Sequence, residues 1–128
     1  MSIAYLDSSA FVKTIVREPE SDRLLAWLEQ WPDRVSCALL RTEAVRAVRS
    51  SGEEAVARAR LLLGTISLIR LDDRLLDSAG ELRPVLRSLD AIHIAAAQSL
   101  GSELGVVVTY DVRMARAVED LGLSVAMP

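Results

Sequence analysis

Short runs of apolar residues alternate along the chain with longer segments that have helical periodicity. The first apolar run covers residues 3–6, and the valine-rich run at residues 105–109 is the clearest predicted strand. The remaining predicted strands are residues 34–38, 68–71 and 123–126. Strands that alternate with helices are typical of a parallel sheet with helices on both faces. The pattern therefore predicts one α/β domain over residues 1–128.

Between these strands, apolar residues recur every three or four positions, which predicts helices. The predicted helices are residues 8–16, a segment with Leu24, Leu25 and Leu28 on one face, and residues 40–49, 53–63, 73–82, 90–100 and 112–121. Residues 83–89, which include Pro84, are predicted to be a connector. The helix at residues 90–100 is apolar nearly all round, which predicts that it is buried. Gly122 is a suitable C-terminal stop for the last helix.

Composition places the chain among ordinary globular domains, since half of its residues are apolar and a quarter are charged. Cys37 is the only cysteine, so an intrachain disulfide and a thiolate zinc cluster are excluded. A lone thiol fits a reducing cytosol. The first residues do not resemble a signal peptide, and no stretch approaches the ~20 apolar residues of a membrane span. We therefore expect a cytoplasmic protein that does not contact a membrane.

Two aspartates stand where predicted strands end. Asp7 ends the first strand and Asp111 follows the valine-rich strand. Open parallel sheets place their sites at the carboxyl ends of the strands, so both residues are candidates for a functional site. The alternative for each is a purely structural role, because aspartate is a good N-cap and a helix follows both residues.

Two further acids interrupt apolar helical stretches. Asp90 lies at the start of a helix, where an acid complements the helix dipole or Ser88 provides the cap. Glu43 is predicted to lie in mid-helix inside the apolar arc, so its side chain is expected to face inward. An ion pair with Arg46, one turn along, is the alternative. One inward-facing acid together with three acids at helix starts is difficult to attribute to chance.

Four carboxylates at one sheet edge raise one another's pKa, and a divalent cation reverses that effect. Cys37 and His93 are the only softer candidate ligands, too few for a zinc site. Oxygen ligands favour Mg²⁺ or Mn²⁺, and either ion suits phosphodiester hydrolysis by an activated water. His93 follows Asp90 by one helical turn on a buried helix, and we expect it to be structural instead of a catalytic base.

Four motifs carry a resemblance that covers essentially the whole chain. They read YLDSSAFVK at residues 5–13, LRTE at 40–43, LDAIHIAAA at 89–97 and VTYDVRM at 108–114. In this order and spacing they resemble the PIN-domain family, and within it the VapC-type toxin ribonucleases of type II toxin–antitoxin systems. The resemblance implies a three-layer α/β sandwich with a central, mainly parallel sheet. It also implies a Mg²⁺- or Mn²⁺-dependent endoribonuclease.

The resemblance also assigns roles to residues and implies partners. The acids that hold the metal and its attacking water in the family match Asp7, Glu43, Asp90 and Asp111. Ser9 and Thr109 match positions that support such a site. The implied partners are an RNA substrate, a second copy of the chain in a homodimer, and a small cognate antitoxin whose tail covers the active site. Larger toxin–antitoxin assemblies follow from the same resemblance.

RNA binding is not indicated by the net charge of −3. The cations are nevertheless almost all arginines, which suit phosphate contacts, although codon usage in a GC-rich genome explains such an excess. The candidate RNA contacts are Arg17, Arg46, Arg113 and Arg116. Solvated helix faces are the alternative interpretation of these four residues.

Other functions compete with the toxin nuclease. A phosphotransfer enzyme of the haloacid-dehalogenase type would need an aspartate where Ser9 stands, and a response-regulator receiver would need adjacent acids after the first strand and a late lysine. A housekeeping PIN-domain nuclease for RNA processing would share the four acids, although the short chain favours the toxin. A non-catalytic module that binds RNA or a protein partner also remains open.

Overall fold

The computed structural model describes residues 2–83 and 85–128, in which a parallel sheet is the central feature. Its five strands are β1 (Ile3–Leu6), β2 (Asp33–Cys37), β3 (Ser67–Ile69), β4 (Leu104–Val108) and β5 (Val125–Ala126). They lie in the order β3-β2-β1-β4-β5, and every neighbouring pair is parallel. The central position of β1, between β2 and β4, explains its continuous apolar run, because both of its faces are covered.

Helices connect the strands and cover both faces of the sheet. In the described residues they are α1 (Ser8–Val12), α2 (Ser21–Leu28), α3 (Leu40–Val48), α4 (Glu53–Leu63), α5 (Asp73–Gly80), α6 (Ser88–Gln98) and α7 (Val112–Asp120). Short 3-10 helices follow α3 at Arg49–Ser51 and precede β4 at Gly101–Glu103. None of the described helices has the length and apolar character needed to cross a membrane.

The alternation of side chains along β1 divides the core into two layers. Tyr5 points to the side of α5, α6 and α7, where it joins a cluster with Ile94 and Met114. Ala4 and Leu6 point to the opposite side and pack with residues of α2 and β4. A further cluster joins α1, α3 and α4. The result is the three-layer α/β sandwich with a parallel sheet that the sequence predicted.

Some predicted boundaries were wrong because tertiary contacts set them. The first helix ends at Val12 instead of residue 16, and the hydroxyl of Ser21 donates to the freed backbone carbonyl of Lys13 at 2.7 Å. The buried helix α6 begins at Ser88, two residues earlier than predicted, which shortens the connector that contains Pro84. Pro84 itself lies outside the described residues.

Two predictions about individual residues have opposite outcomes. Leu25 does not share the buried face of Leu24 and Leu28, because 46% of it is exposed. Gly122 does follow the last helix, and its φ of +78° lies in the left-handed region that glycine adopts without strain.

Candidate active site

All four predicted acids line one cleft of about 550 Å³ at the carboxyl edge of the sheet. β1 and β4 are adjacent and parallel, so Asp7, directly after β1, and Asp111, three residues after the end of β4, reach the same edge. Asp90 enters the cleft from the first turn of α6. Glu43 enters from the first turn of α3, and the prediction that it lies in mid-helix was therefore wrong. Four separate elements thus deliver one carboxylate each.

Asp7 is the most buried of these acids, with 5% of its surface exposed. Its Oδ1 accepts hydrogen bonds from the backbone N–H of Ala10 at 3.0 Å and from the hydroxyl of Ser9 at 2.7 Å. The hydroxyl of Thr109 donates to Oδ2. Burial raises the pKa of Asp7, although these three hydrogen bonds act in the opposite direction. Asp7 is therefore an N-cap, as the structural alternative proposed, but its charge is also poorly solvated, a condition that a nearby cation relieves.

Arg87 joins the next two acids. Its Nε donates to Asp90 Oδ2 and its Nη2 donates to Asp111 Oδ2, both at 3.2 Å. The other oxygen of Asp111 caps α7 by accepting from the backbone N–H groups of Arg113 and Met114. Asp111 therefore has the capping role and also presents a carboxylate oxygen to the cleft. One guanidinium group, on a side chain that is 73% exposed, holds both acids.

Glu43 has a buried partner. Its side chain is 19% exposed, and its Oε1 lies 2.6 Å from Nε2 of His93. The predicted inward orientation of Glu43 is therefore observed, whereas the alternative ion pair with Arg46 does not form among the described residues. Glu43 is thus tied to α6, the helix that also carries Asp90.

His93 connects this site to the core. It is 1% exposed, and its Nδ1 lies 2.7 Å from the hydroxyl of Tyr5 and 3.6 Å from the Sγ of Cys37. Burial lowers the pKa of His93, but contacts with Cys37 and Glu43 outweigh burial and raise the pKa to about 10. The expectation that His93 is structural missed its contact with a site carboxylate. A signal was present in the sequence, because positions 90 and 93 lie on the same face of a helix.

The donor set of the cleft fits a hard divalent cation, since its acids and hydroxyls offer only oxygen atoms. Within residues 2–83 and 85–128, however, no three acidic, histidine or cysteine side chains are grouped closely enough to hold a metal ion. Asp90 and Asp111 turn to Arg87, and Glu43 turns to His93. Coordination of one ion by these acids therefore requires that some of them exchange their present partners.

The arginines predicted to contact RNA lie outside the cleft. Arg17 is paired with Asp22 at 2.6 Å on the surface, and Arg46 is exposed. Arg113 and Arg116 line a separate groove on α7.

Two other cations line the cleft itself, and sequence reasoning did not select them. Arg87 is one, and Lys13 is the other. The Nζ of Lys13 lies 2.6 Å from Glu20 and 4.8 Å from the ring centre of Tyr110. Lys13 occurs in the first motif, six residues after Asp7. Arg87 lies three residues before Asp90, a spacing that indicates this pair, whereas nothing local indicates its contact with Asp111.

Comparison with known proteins extends over nearly the whole chain. The family model of the PIN domain matches residues 4–120. Ribonuclease VapC46 of Mycobacterium tuberculosis is 51% identical over 129 residues, which cover 100% of this chain and 99% of the relative. Ribonuclease VapC35 of the same species is 39% identical, with 97% and 96% of the two chains covered.

A solved structure agrees with the fold. The crystal structure of Mycobacterium tuberculosis VapC20, a Sarcin-Ricin loop cleaving toxin, matches with a TM-score of 0.77 and 17% sequence identity. The match covers 98% of this chain and 99% of VapC20. At this identity the likeness concerns the arrangement of helices and strands.

Proposed function

Because this chain belongs to the PIN-domain family, we propose that it is the toxin of a type II toxin–antitoxin pair and a metal-dependent endoribonuclease. The observation that carries the proposal is the convergence of four acids on one cleft. The whole-length identity of 51% with Ribonuclease VapC46 supports the same activity. The reaction is the hydrolysis of RNA phosphodiester bonds.

In this proposal Asp7, Glu43, Asp90 and Asp111 are the catalytic acids and hold the metal ion. Carboxylate donors favour Mg²⁺ or Mn²⁺. When bound, such an ion supplies a water of lowered pKa and positive charge for the phosphoryl group.

Ser9 and Thr109 support the site. Their hydroxyls donate to opposite oxygens of Asp7, while the backbone N–H of Ala10 holds one of these oxygens at the start of α1. These three donors fix the orientation of Asp7 and stabilise its ionised form.

Positive groups of the cleft are the proposed first contacts for RNA phosphates. Lys13 and Arg87 line the cleft beside the acids, and both carry charge of the sign that phosphates require. Arg17, Arg46, Arg113 and Arg116 are proposed as outer contacts along the RNA, because each side chain lies on the surface.

The partners of the proposed toxin follow from its family. They are an RNA substrate, a small cognate antitoxin and a second copy of the chain, with larger toxin–antitoxin assemblies built from these. The proposed site of action is the cytoplasm. Growth arrest on expression of the chain, relieved by the product of a small neighbouring gene, would separate the toxin from a housekeeping RNA-processing nuclease.

The direct test is cleavage of labelled tRNA and mRNA by the purified protein in Mg²⁺, in Mn²⁺ and in EDTA. The Asp90→Asn variant is compared with Asp77→Asn, which changes an exposed acid of α5. We expect metal-dependent cleavage that is lost in Asp90→Asn and kept in Asp77→Asn. Unchanged cleavage in Asp90→Asn would reject the proposed site. A folded wild type that binds Mn²⁺ and cleaves no RNA would favour the binding module.

A further inference from the structure

The only histidine of the chain is fully buried, yet it contacts a carboxylate of the cleft. His93 lies on α6 between the core and the site. Its Nδ1 faces the hydroxyl of Tyr5 on β1, and its Nε2 faces Glu43 on α3. Both ring nitrogens are therefore engaged, and a central strand, a buried helix and an acid-bearing helix are linked through one ring.

The direction of the contact with Glu43 follows from its chemistry. An ionised carboxylate only accepts hydrogen bonds, so Nε2 of His93 carries the hydrogen and donates. The other ring nitrogen, Nδ1, has a partner of its own. At Nδ1 that partner is Tyr5, which is 0% exposed and whose hydroxyl lies 2.7 Å away. Burial raises the pKa of Tyr5 above its ordinary value, so the phenol remains protonated.

We propose that His93 is a positioning residue of the nuclease, which holds the Glu43 carboxylate in its working orientation and is itself held by Tyr5. This inference rests on the proposed function. Glu43 has a long side chain with several rotatable bonds, so its carboxylate needs a fixed partner to occupy one place. His93 provides that partner from within the core, where 1% of its surface is exposed and both ring nitrogens have partners.

The exposed arginine of the cleft cannot perform this task for Glu43. Arg87 contacts Asp90 and Asp111, and its side chain is 73% exposed. The side chain of His93 is 1% exposed, so it stays in place when ligands enter or leave. Residues that orient a metal-binding group in this way are part of the design of a site although they touch neither metal nor substrate.

Two substitutions of His93 provide a matched pair. Glutamine places an amide N–H near the position of Nε2, whereas the amide of asparagine is too short to reach Glu43. We expect His93→Asn to weaken Mn²⁺ binding or to reduce cleavage roughly 10- to 100-fold, as is typical for loss of such a partner. His93→Gln should recover most of that loss. In the Glu43→Ala background, His93→Asn should have little further effect, because the interaction it removes is already broken.

A core substitution on the same helix controls for lost stability. Ile94→Val changes a 0% exposed neighbour of His93 that has no polar group and belongs to the core cluster with Tyr5 and Met114. If His93 only stabilised the fold, His93→Asn and Ile94→Val would lower Mn²⁺ affinity in proportion to their losses of thermal stability. Equal Mn²⁺ affinity and cleavage in wild type and folded His93→Asn would overturn the inference.

The single histidine also permits a test that needs neither activity nor a folded His93 variant. In protein labelled with ¹⁵N-histidine, the ring signals belong to His93 alone. We expect a protonated Nε2 whose hydrogen resonance shifts in Glu43→Gln, and an Nδ1 signal that shifts in Tyr5→Phe. An unprotonated Nε2, or one indifferent to Glu43→Gln, would overturn the inference. If wild type neither bound Mn²⁺ nor cleaved RNA while these NMR contacts were present, the proposed function would fail instead.

Discussion

Replacement of Arg87 with alanine should tighten the binding of a divalent cation. Arg87 donates to one oxygen of Asp90 and one oxygen of Asp111, so its guanidinium competes with a cation for both proposed ligands. An ion that enters the cleft must displace these two contacts or share the carboxylates with a positive charge. Without Arg87 the Oδ2 atoms of the two acids are free to bind the metal.

The expected size of the effect follows from the exposure of the two ion pairs. Each joins a side chain that is 73% exposed to a carboxylate at 3.2 Å. Ion pairs of this kind contribute about 0.2–1 kcal/mol each, so the two together oppose metal binding by about 0.4–2 kcal/mol. Since about 1.4 kcal/mol is a tenfold change in an equilibrium constant, Arg87→Ala should bind Mn²⁺ about 2- to 30-fold more tightly.

The assay is calorimetric titration of metal-free protein with Mn²⁺ at low and at high ionic strength. Arg113→Ala is the matched control, because it removes an exposed positive charge two residues from Asp111 without breaking either ion pair. The gain in Arg87→Ala should exceed that of the control and should shrink with added salt, which screens exposed pairs. Equal or weaker Mn²⁺ binding in Arg87→Ala would refute the competition.

Further predictions concern stability. Asp7→Asn should raise the free energy of unfolding in EDTA at pH 7. Burial raises the pKa of Asp7, so its ionised form opposes folding once the pH exceeds that pKa. Asparagine removes the charge and retains the cap. A less stable variant in urea unfolding would contradict this. The pKa of His93 is raised from 6.5 to about 10, so its contribution to stability is complete below pH 6.5 and is lost as the pH rises through 10. In urea unfolding, the free energy of unfolding of His93→Gln should therefore decline less between pH 6.5 and 10 than that of the wild type. Met114→Ala should cost about 2–5 kcal/mol, because this residue of α7 is 0% exposed, whereas Leu61→Ala, at 73% exposure, should change stability by less than about 0.5 kcal/mol.

The parts of the site that sequence predicted well are those with local causes. Asp7 and Asp111 could be placed at the sheet edge because apolar runs identify β1 and β4, and parallel strands end at the same edge. The inward orientation of Glu43 followed from its position on the helical wheel. These inferences need only periodicity and the rules that connect strands and helices.

The partners of these acids could not be predicted in the same way. Glu43 and His93 are 50 residues apart, and their contact depends on how α3 and α6 meet at the sheet. Arg87 reaches Asp111 across 24 residues, and neither residue has a neighbour in sequence that indicates the pair. The early end of α1 likewise depends on a hydrogen bond from Ser21, which lies on the next helix. Such pairings follow from tertiary packing, which a single sequence does not specify locally.

The four acids have three kinds of partner: nearby hydrogen-bond donors, a buried histidine ring and an exposed guanidinium group. These partners restrict movement of the carboxylates to different degrees, which affects how the proposed enzyme takes up metal. Asp7 is held by donors on its own helix and on Thr109, and these can remain when a cation binds, because a carboxylate accepts several interactions at once. Glu43 is held by a ring that is closed in by the core. Asp90 and Asp111 share an exposed partner, and rotation of Arg87 toward solvent frees the Oδ2 atom of both acids while Asp111 keeps its cap on α7. In the proposed site, Asp7 and Glu43 would therefore set where an ion is held, and Arg87 would set how available the Oδ2 atoms of Asp90 and Asp111 are to it.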